Sequence, residues 1–261
     1  MKIFKYRNFS ANHIDAVLKN EIWFSLGSQF NDPFDSRPPL KVASLDSMRS
    51  LILEKVKNAA SLSESDLIKF ANLQLDNFKN NINSQNGDIA DIVNRFSQII
   101  SRCFISCFSE VNNSLLMWSH YARNHEGFCV EYDLDKITKE VDISDHGKVV
   151  YENNIKDFLS ETKLEFFEKA AKSVLFQKCE EWSYEKEYRL VHGEIAIHKS
   201  EVHKKAIVSD DSVVAIYFGC QSKQKDRESL MSSIKNKNVE FFHMRQSIKS
   251  FSVYEERCYP S

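Results

Sequence analysis

The stretch Glu180–Val191, EEWSYEKEYRLV, combines four carboxylates, several aromatic residues and one arginine. Its second half alternates as a strand does, which predicts Glu185, Glu187 and Arg189 on one face. Two carboxylates side by side on a strand repel each other, so one of them is expected to have a raised pKa. Such a face suits proton transfer or the stabilisation of a cation. The alternative is an exposed edge strand with solvated charges.

The composition predicts a cytoplasmic globular protein with a substantial core. The chain has 261 residues, of which 42% are hydrophobic, and it contains 19 phenylalanines. A net charge of −2 provides no general attraction to nucleic acid or to an anionic membrane. No apolar run is long enough to span a bilayer, and the start MKIFKYRNFS is too polar for a signal peptide. The 6 cysteines lack the spacing of a zinc site and are interpreted as reduced thiols, so no metal site is predicted.

Short apolar runs separated by turns predict a mixed α+β fold with a mainly antiparallel sheet. Val213–Phe218, VVAIYF, is the most apolar run and is predicted to be a central strand. Further strands are expected at Lys2–Arg7, Glu21–Ser25, Phe104–Ser109, Gly127–Tyr132, Lys148–Tyr151, Val239–Met244 and Phe251–Tyr254. Helices are expected at Asn12–Lys19, Leu115–Tyr121, Ile155–Phe176 and Lys223–Asn236.

Residues 45–100 differ in composition from the rest of the chain. They are polar, rich in serine and asparagine, and helical in pattern, with the clearest apolar stripe between Asp88 and Ile100. We predict a single α+β domain over residues 1–261, with residues 45–100 as a helical insertion between the second and third strands. The insertion is interpreted as a lid, as a surface for a partner or as scaffold.

Two further groups of residues are candidates for a site besides the Glu–Arg face. Tyr6 and Arg7 end the first strand, and a guanidinium there is suited to a phosphate or a carboxylate. The string MWSHYARNH places Trp118, His120 and Tyr121 beside two predicted core strands, where aromatic rings can stack a flat ligand. The alternatives are a surface arginine at a strand end and a histidine that is hydrogen-bonded in the core.

The loop at residues 27–36, GSQFNDPFDS, is a third candidate. Its phenylalanines are expected to hold it against the core while its polar residues, including Asn31 and Asp32, line a pocket. A structural turn is the alternative, because the residue before a proline avoids the helical region. Other chemistries have less support, since the sequence contains no GxSxG, HExxH, calcium-loop or glycine-rich phosphate-loop motif.

The strings FNDPFD and MWSHYA are the most specific of a series that also includes KYRNF, CFSE, VVYE and WSYEKEYRLV. In content and order this series resembles a large prokaryotic family of unknown function, DUF2971. The resemblance covers most of the chain outside the predicted insertion. It implies little about activity beyond a likeness to accessory or defence-associated bacterial proteins.

A more distant resemblance is to ADP-ribosyltransferases. These enzymes carry an Arg or His on the first core strand, a Ser or Tyr on an early strand, and a Glu, often within Glu-x-Glu, on a later strand. Arg7, Ser25 and Glu187 occur in this order. The resemblance implies that NAD is the cofactor, with Arg7 holding its pyrophosphate or ribose and Ser25 supporting the nicotinamide ribose.

The same resemblance implies roles for the two glutamates. Glu187 would stabilise the cation that forms as nicotinamide leaves, and Glu185 would position or activate the acceptor. Tyr6, Trp118 or Tyr121 would stack the nicotinamide ring. The long insertion departs from the compact transferase pattern, and Arg189 directly after the EKE string favours a structural ion pair instead.

Three hypotheses for the function follow. The first is an NAD-dependent ADP-ribosyltransferase-like bacterial effector in phage defence or a toxin system, with a protein or a nucleic acid as acceptor. The second is a non-catalytic partner-binding or sensing module, in which the Glu–Arg strand is structural. The third is a metal-dependent nuclease that uses Glu185, Glu187 and a remote aspartate. The sequence does not predict the oligomeric state.

Overall fold

The computed structural model describes residues 1–36, 97–154, 171–172, 174–198, 200–234 and 238–259, together with a few helical positions between 53 and 76. The chain divides into two compact units. One comprises Met1–Phe30, Arg102–Tyr151 and Lys178–Ser261, and the other comprises Asn31–Ser101 and Glu152–Gln177. The predicted insertion and most of the predicted helix Ile155–Phe176 lie outside the described residues. The insertion and the single domain therefore stay predictions.

The elements of the described chain follow the predicted order closely. The strands are β1 (Lys2–Arg7), β2 (Glu21–Leu26), β3 (Cys103–Ser109), β4 (Phe128–Asp133), β5 (Ile143–Lys148), β6 (Val150–Tyr151), β7 (Gln177–Lys178), β8 (Glu187–Ile195), β9 (His203–Ile207), β10 (Val213–Phe218), β11 (Glu240–Gln246) and β12 (Val253–Cys258). The helices are α1 (Ala11–Leu18), α2 (Leu115–Tyr121), α3 (Leu134–Glu140) and α4 (Gln224–Ser233). Short 3₁₀ segments lie at Gly27–Gln29, Glu180–Glu185 and Asp210–Ser212.

The first unit is built on a 10-stranded sheet with the order β12-β11-β10-β4-β1-β3-β2-β9, and β8 pairs with both β3 and β5. The β10–β11 pair is parallel, and the other pairs of this sheet in the described chain are antiparallel. The predicted α+β class with a mainly antiparallel core is confirmed. Its closer likeness to the ADP-ribosyltransferase fold stays a prediction.

The strand β10 occupies the central position that its apolar sequence predicts. It lies between β4 and β11, and five of its six residues are buried. The strand β1, on the other side of β4, also has apolar residues on both faces. Ile3 packs into one apolar core, whereas Phe4 and Tyr6 pack into another that includes Trp118. A strand buried on both faces reads as a continuous apolar run, which is why these strands are recognisable in the sequence.

Three strands, β5, β7 and β9, and helix α3 were not predicted. The strands β5 and β9 have the polar sequences ISDHGK and HKKAI, and both alternate between half-buried and exposed residues. Polar strands of this kind are stabilised by pairing with an adjacent strand. Their sequences contain no apolar run, so the pattern of apolar residues does not predict them. Helix α3 begins directly at the end of β4, where Asp133 caps it by accepting a hydrogen bond from the Asp135 amide.

Candidate functional site

Glu187 and Arg189 form a buried ion pair at the start of β8. Arg189 Nε donates to Glu187 Oε1 at 2.7 Å, and Nη2 donates to Oε2 at 3.0 Å. These two parallel hydrogen bonds are the strongest arrangement available to an arginine and a carboxylate. Arg189 is 0% exposed and Glu187 is 4% exposed. The charges of Glu187 and Arg189 are therefore buried and paired, and the alternative of solvated charges on an exposed edge is wrong for this part of the strand.

Lys178 connects the pair to the second glutamate. Its Nζ lies 2.6 Å from Glu185 Oε2 and 3.3 Å from Glu187 Oε2. Burial acts to raise the pKa of Glu187, but Arg189 and then Lys178 outweigh burial and hold this pKa at about 2. We refer to Lys178, Glu185, Glu187 and Arg189 as the ionic cluster. Within this cluster the negative charges of two carboxylates are balanced by the positive charges of Lys178 and Arg189.

Glu185 is in a different electrostatic state from Glu187. Burial raises the pKa of Glu185, although Lys178 and the Tyr121 hydroxyl favour its ionised form. That hydroxyl donates to Glu185 Oε1 at 2.5 Å. The sequence predicted a raised pKa for one of the two glutamates, and this prediction is confirmed for Glu185. The main cause is burial, and repulsion by Glu187 contributes least.

The backbone places Glu185 outside the strand. The 3₁₀ segment Glu180–Glu185 ends at Lys186, which has a left-handed conformation with φ of 43°. The prediction that Glu185 shares a strand face with Glu187 and Arg189 is wrong, because alternation begins only at Glu187. Ser109 Oγ holds the end of the segment by donating to the Glu185 carbonyl oxygen at 2.6 Å. The carboxylate thus reaches the ionic cluster from a turn.

His120, Tyr121, Trp182 and Tyr184 form a cluster beside the ionic cluster, and we refer to it as the aromatic surface. His120 Nδ1 lies 3.0 Å from the Tyr184 hydroxyl, and the Trp182 and Tyr184 ring centroids lie 6.1 Å apart. His120 is exposed, and the other three are half-buried. The Lys178 ammonium lies 4.9 Å from the centre of the Trp182 ring. The aromatic surface therefore contacts the buried ionic cluster through Trp182 and reaches solvent at His120.

Tyr6 and Trp118 are core residues. Their rings meet edge to face at 5.1 Å, and Trp118 is 0% exposed. The Tyr6 hydroxyl donates to the Val111 carbonyl at 2.8 Å, and Trp118 Nε1 donates to the Asn112 carbonyl at 2.7 Å. Both polar groups are used within the fold, as expected of buried Tyr and Trp. These two rings belong to the apolar core between α2 and the sheet, whereas Tyr121 and His120 lie nearer solvent.

Arg7 and Glu187 lie on opposite faces of the sheet. Ser109 is the register partner of both Phe4 and Glu187, so Phe4 and Glu187 share a face. Arg7 follows Phe4 by three positions, and side chains of a strand alternate, so Arg7 faces the other way. Arg7 is consequently not part of the ionic cluster.

Ser25 shares the face of Glu187 but lies at a distance from it along the sheet. Its register partner on β3 is Ile105, which is four residues, or about 13 Å, from Ser109. The Ser25 hydroxyl lies 3.0 Å from His203 Nδ1. The described structure therefore does not bring Arg7, Ser25 and Glu187 together.

Asn31 and Asp32 belong to the second unit. Asp32 is buried, its Oδ1 accepts a hydrogen bond from the Phe34 amide at 2.9 Å, and its carbonyl accepts one from the Asp35 amide at 3.1 Å. This is the local side-chain turn that an Asn-Asp-Pro sequence favours. The prediction that Asn31 and Asp32 bind a cofactor stays a prediction.

Lys178 and Tyr151, which contact the two glutamates, were not predicted from the sequence. Lys178 precedes Glu185 by seven positions and meets it only because the 3₁₀ segment folds back, so no spacing rule identifies it. The Tyr151 hydroxyl accepts a hydrogen bond from the Glu187 amide at 2.7 Å. The VVYE string that contains Tyr151 was recognised, but its contact with β8 depends on tertiary structure.

Comparison with known proteins supports the family prediction for part of the chain. The model of a family described as protein of unknown function, DUF2971, matches residues 117–190. The resemblance to this family is confirmed over that range, which contains the whole ionic cluster and the aromatic surface. The strings KYRNF, FNDPFD and CFSE lie outside it. No curated protein and no solved structure matches the chain.

Two further findings concern metals and membranes. Within the part of the chain that the structure describes, no three His, Cys, Asp or Glu side chains are grouped so as to hold a metal ion. None of the described helices combines the length and the apolar character that are needed to cross a membrane.

Proposed function

We propose that the protein is a non-catalytic binding module, in which the ionic cluster is a structural framework and the aromatic surface contacts a partner. The observation that carries this proposal is the pairing of Glu187. Both of its oxygens accept hydrogen bonds from Arg189, and one also contacts Lys178. A carboxylate that is held in this way has little remaining capacity to act on a substrate.

The electrostatics of Glu187 support the same conclusion. A general acid or base works best when its pKa lies near the operating pH, and the pKa of Glu187 is about 2. Stabilisation of a developing cation needs a negative field at the reacting atom. Two buried cations next to Glu187 reduce that field. A structural role explains both the pairing and the low pKa.

The aromatic surface supports a binding role. Aromatic residues that are half-buried provide a large contact area at a low cost in conformational entropy, and they are enriched in protein–protein interfaces. Trp182 and Tyr184 lie on the segment that carries Glu185, so the ionic cluster holds the position of these rings. The framework and the contact surface are therefore parts of one arrangement within residues 117–190.

The transferase, its NAD cofactor and the nuclease stay predictions from the sequence, as does a role in phage defence. The arrangement of Arg7, Ser25 and Glu187 gives no additional support to the transferase. A raised pKa and a hydrogen bond to Tyr121 make Glu185 the residue of this region that is best suited to proton transfer.

We expect the purified protein to release no nicotinamide from labelled NAD, with or without cell extract, and to transfer no label. Chromatography of the reaction measures both products. The variants Glu187→Gln and Glu185→Gln should behave as the wild type does. Glu194→Gln is the matched control, because Glu194 is exposed and pairs with Lys204 at the far end of β8.

Nicotinamide release that is lost in Glu187→Gln and kept in Glu194→Gln would overturn the proposal in favour of the transferase. Cutting of nucleic acid that requires an added divalent cation, and that is lost in the same variant, would favour the nuclease. The transferase and the nuclease are thus each detected by a product of their own, either released nicotinamide or cut nucleic acid.

A further inference from the structure

Lys5 and Arg7 are two cations on one face of β1. They are separated by one residue, so their side chains leave the strand on the same side. This is the face opposite to the one that carries the ionic cluster. The strand lies between β4 and β3 near the middle of the sheet, so both stems start inside the protein. Two neighbouring cations inside a protein are unfavourable unless a negative charge lies close to them.

The guanidinium of Arg7 has unsatisfied donors. Arg7 is 4% exposed, and its Nε and Nη2 atoms are buried without a hydrogen-bond partner among the described residues. These two N–H groups point from the same edge of the guanidinium. Arg189 uses the equivalent edge to hold both oxygens of Glu187. Arg7 therefore presents, on the other face of the sheet, the same fork that Arg189 closes on a carboxylate.

Lys5 has hydrogen-bond partners, but both are neutral. Its Nζ donates to Ser106 Oγ at 3.0 Å and to the Cys107 carbonyl at 2.8 Å. Within the described ranges, no carboxylate lies in ion-pair contact with Lys5 or Arg7. Burial and the charge of Arg7 lower the pKa of Lys5 to about 8. The two cations therefore repel each other, and the close contacts of Lys5 are to neutral groups, which include the Phe108 ring with its centroid 4.8 Å from Nζ.

Several polar residues lie beside the pair at the border of an apolar core. His13 is half-buried, with Nδ1 2.9 Å from Asn8 Oδ1, and its pKa is lowered by burial and then by Arg7. Tyr132 is buried on the same face, and both the Arg7 charge and a hydrogen bond with the Arg7 side chain oppose the rise of its pKa that burial causes. Asn8 is also half-buried. A small ligand would have to reach the buried donors of Arg7 from the side of Asn8 and His13, which are the half-buried residues beside it.

A buried guanidinium without a counter-ion keeps its charge, because arginine does not deprotonate in proteins. A buried cation without a counter-ion is costly, and the usual compensation is an anion with fixed geometry. The fork of Arg7 fits two oxygens of one group, and Lys5 adds a second positive charge beside it. A doubly charged oxyanion matches this site better than a singly charged one.

We propose that Lys5 and Arg7, with His13 and Tyr132 beside them, form a binding site for the phosphate group of a small molecule. Arg7 Nε and Nη2 each donate to a phosphate oxygen, and Lys5 neutralises the remaining charge. The site is independent of the proposed framework role of the ionic cluster, since it lies on the other face of the sheet. Failure of either proposal leaves the other intact.

The test is calorimetric titration of the full chain with inorganic phosphate at constant ionic strength. We expect saturable binding to the wild type and binding that is weaker by roughly tenfold or more in Arg7→Met. Lys5→Met should also weaken binding. Arg245→Met is the control, because Arg245 is an exposed arginine on β11 that pairs with Glu256. Without phosphate, Arg7→Met should melt at or above the temperature of the wild type, since it removes an uncompensated buried charge.

Three outcomes would overturn the proposal. One is the absence of saturable phosphate binding by the wild type. Another is unchanged binding in both Arg7→Met and Lys5→Met. The last is acetate binding as strong as phosphate binding, which would assign the site to a carboxylate instead. If Arg7→Met does not fold, Lys5→Met decides the matter, because Lys5 is only half-buried and its hydrogen bonds are to neutral groups.

Discussion

Replacing Arg189 with methionine should lower the free energy of unfolding by about 3–5 kcal/mol, because it leaves Glu187 buried without its main partner. Lys178 still contacts Glu187 Oε2, so the lower end of this range is expected. For a domain of this size such a loss corresponds to a decrease in melting temperature of about 6–12 °C. Denaturant unfolding and thermal melting of the purified variant measure the two quantities independently.

The exposed pair of Arg245 and Glu256 provides the matched control. Its Nε–Oε2 distance is 2.6 Å, similar to the 2.7 Å of the buried pair, but both side chains are about half exposed. Exposed pairs contribute about 0–1 kcal/mol, so Arg245→Met should have little effect. Equal effects of the two substitutions would show that burial of the Glu187 pair does not matter, and this would contradict its role as a framework.

Acidification should remove about 3 kcal/mol of stability through Glu187 alone. The pKa of this carboxyl falls from an ordinary 4.5 to about 2 in the folded protein, where burial opposes the fall and the charges of Arg189 and Lys178 cause it. A depressed folded-state pKa means that the stabilisation is present above the unfolded-state pKa. It is then lost as the pH falls through the folded-state value, between about pH 5 and about pH 2.

Comparison with Glu187→Gln isolates this contribution. The wild type should exceed the variant in free energy of unfolding near neutral pH, and the difference should shrink on acidification. Glu185→Gln is the internal control, since the raised pKa of Glu185 has the opposite sign. Ionisation of Glu185 costs stability, so the difference between wild type and this variant should decrease as the pH rises above 4.5. Parallel pH profiles for the two variants would contradict the assigned pKa shifts.

The strands buried on both faces could be predicted from the sequence. The runs KIFKYR and VVAIYF are apolar or alternate with apolar residues, and both became central strands with the expected bounds. Helix α2 was also predicted at Leu115–Tyr121. In these elements the local pattern and the tertiary environment agree, so local reasoning is sufficient. The polar strands β5 and β9 owe their conformation to pairing and were missed.

The site was predicted only in part. The EEWSYEKEYRLV string contains three residues of the ionic cluster, Glu185, Glu187 and Arg189. The left-handed Lys186 nevertheless separates Glu185 from the strand, and nothing in the residue type signals that conformation. The partnership of Lys178 depends on the fold of a 3₁₀ segment. The opposite faces of Arg7 and Glu187 follow from the register of β1, β3 and β8, which no pattern within a single strand reveals.

The proposed phosphate site could have been predicted more fully from the sequence. The string KYR places Lys5 and Arg7 at alternate positions, so two cations on one strand face could be read directly. The sequence predicted Arg7 as a residue suited to a phosphate or a carboxylate, with a surface arginine as the alternative, and Lys5 was not included. The burial of that face, and the unsatisfied edge of the guanidinium, became visible only in the folded chain.

A double-mutant cycle between Glu187 and Arg189 tests the framework most directly. It combines the free energies of unfolding of the wild type, Glu187→Gln, Arg189→Met and the double variant. If the two side chains form a structural pair, their coupling energy should be at least about 2 kcal/mol, and the double variant should be more stable than Arg189→Met. A coupling energy below about 0.5 kcal/mol would show that they act independently and would contradict the account.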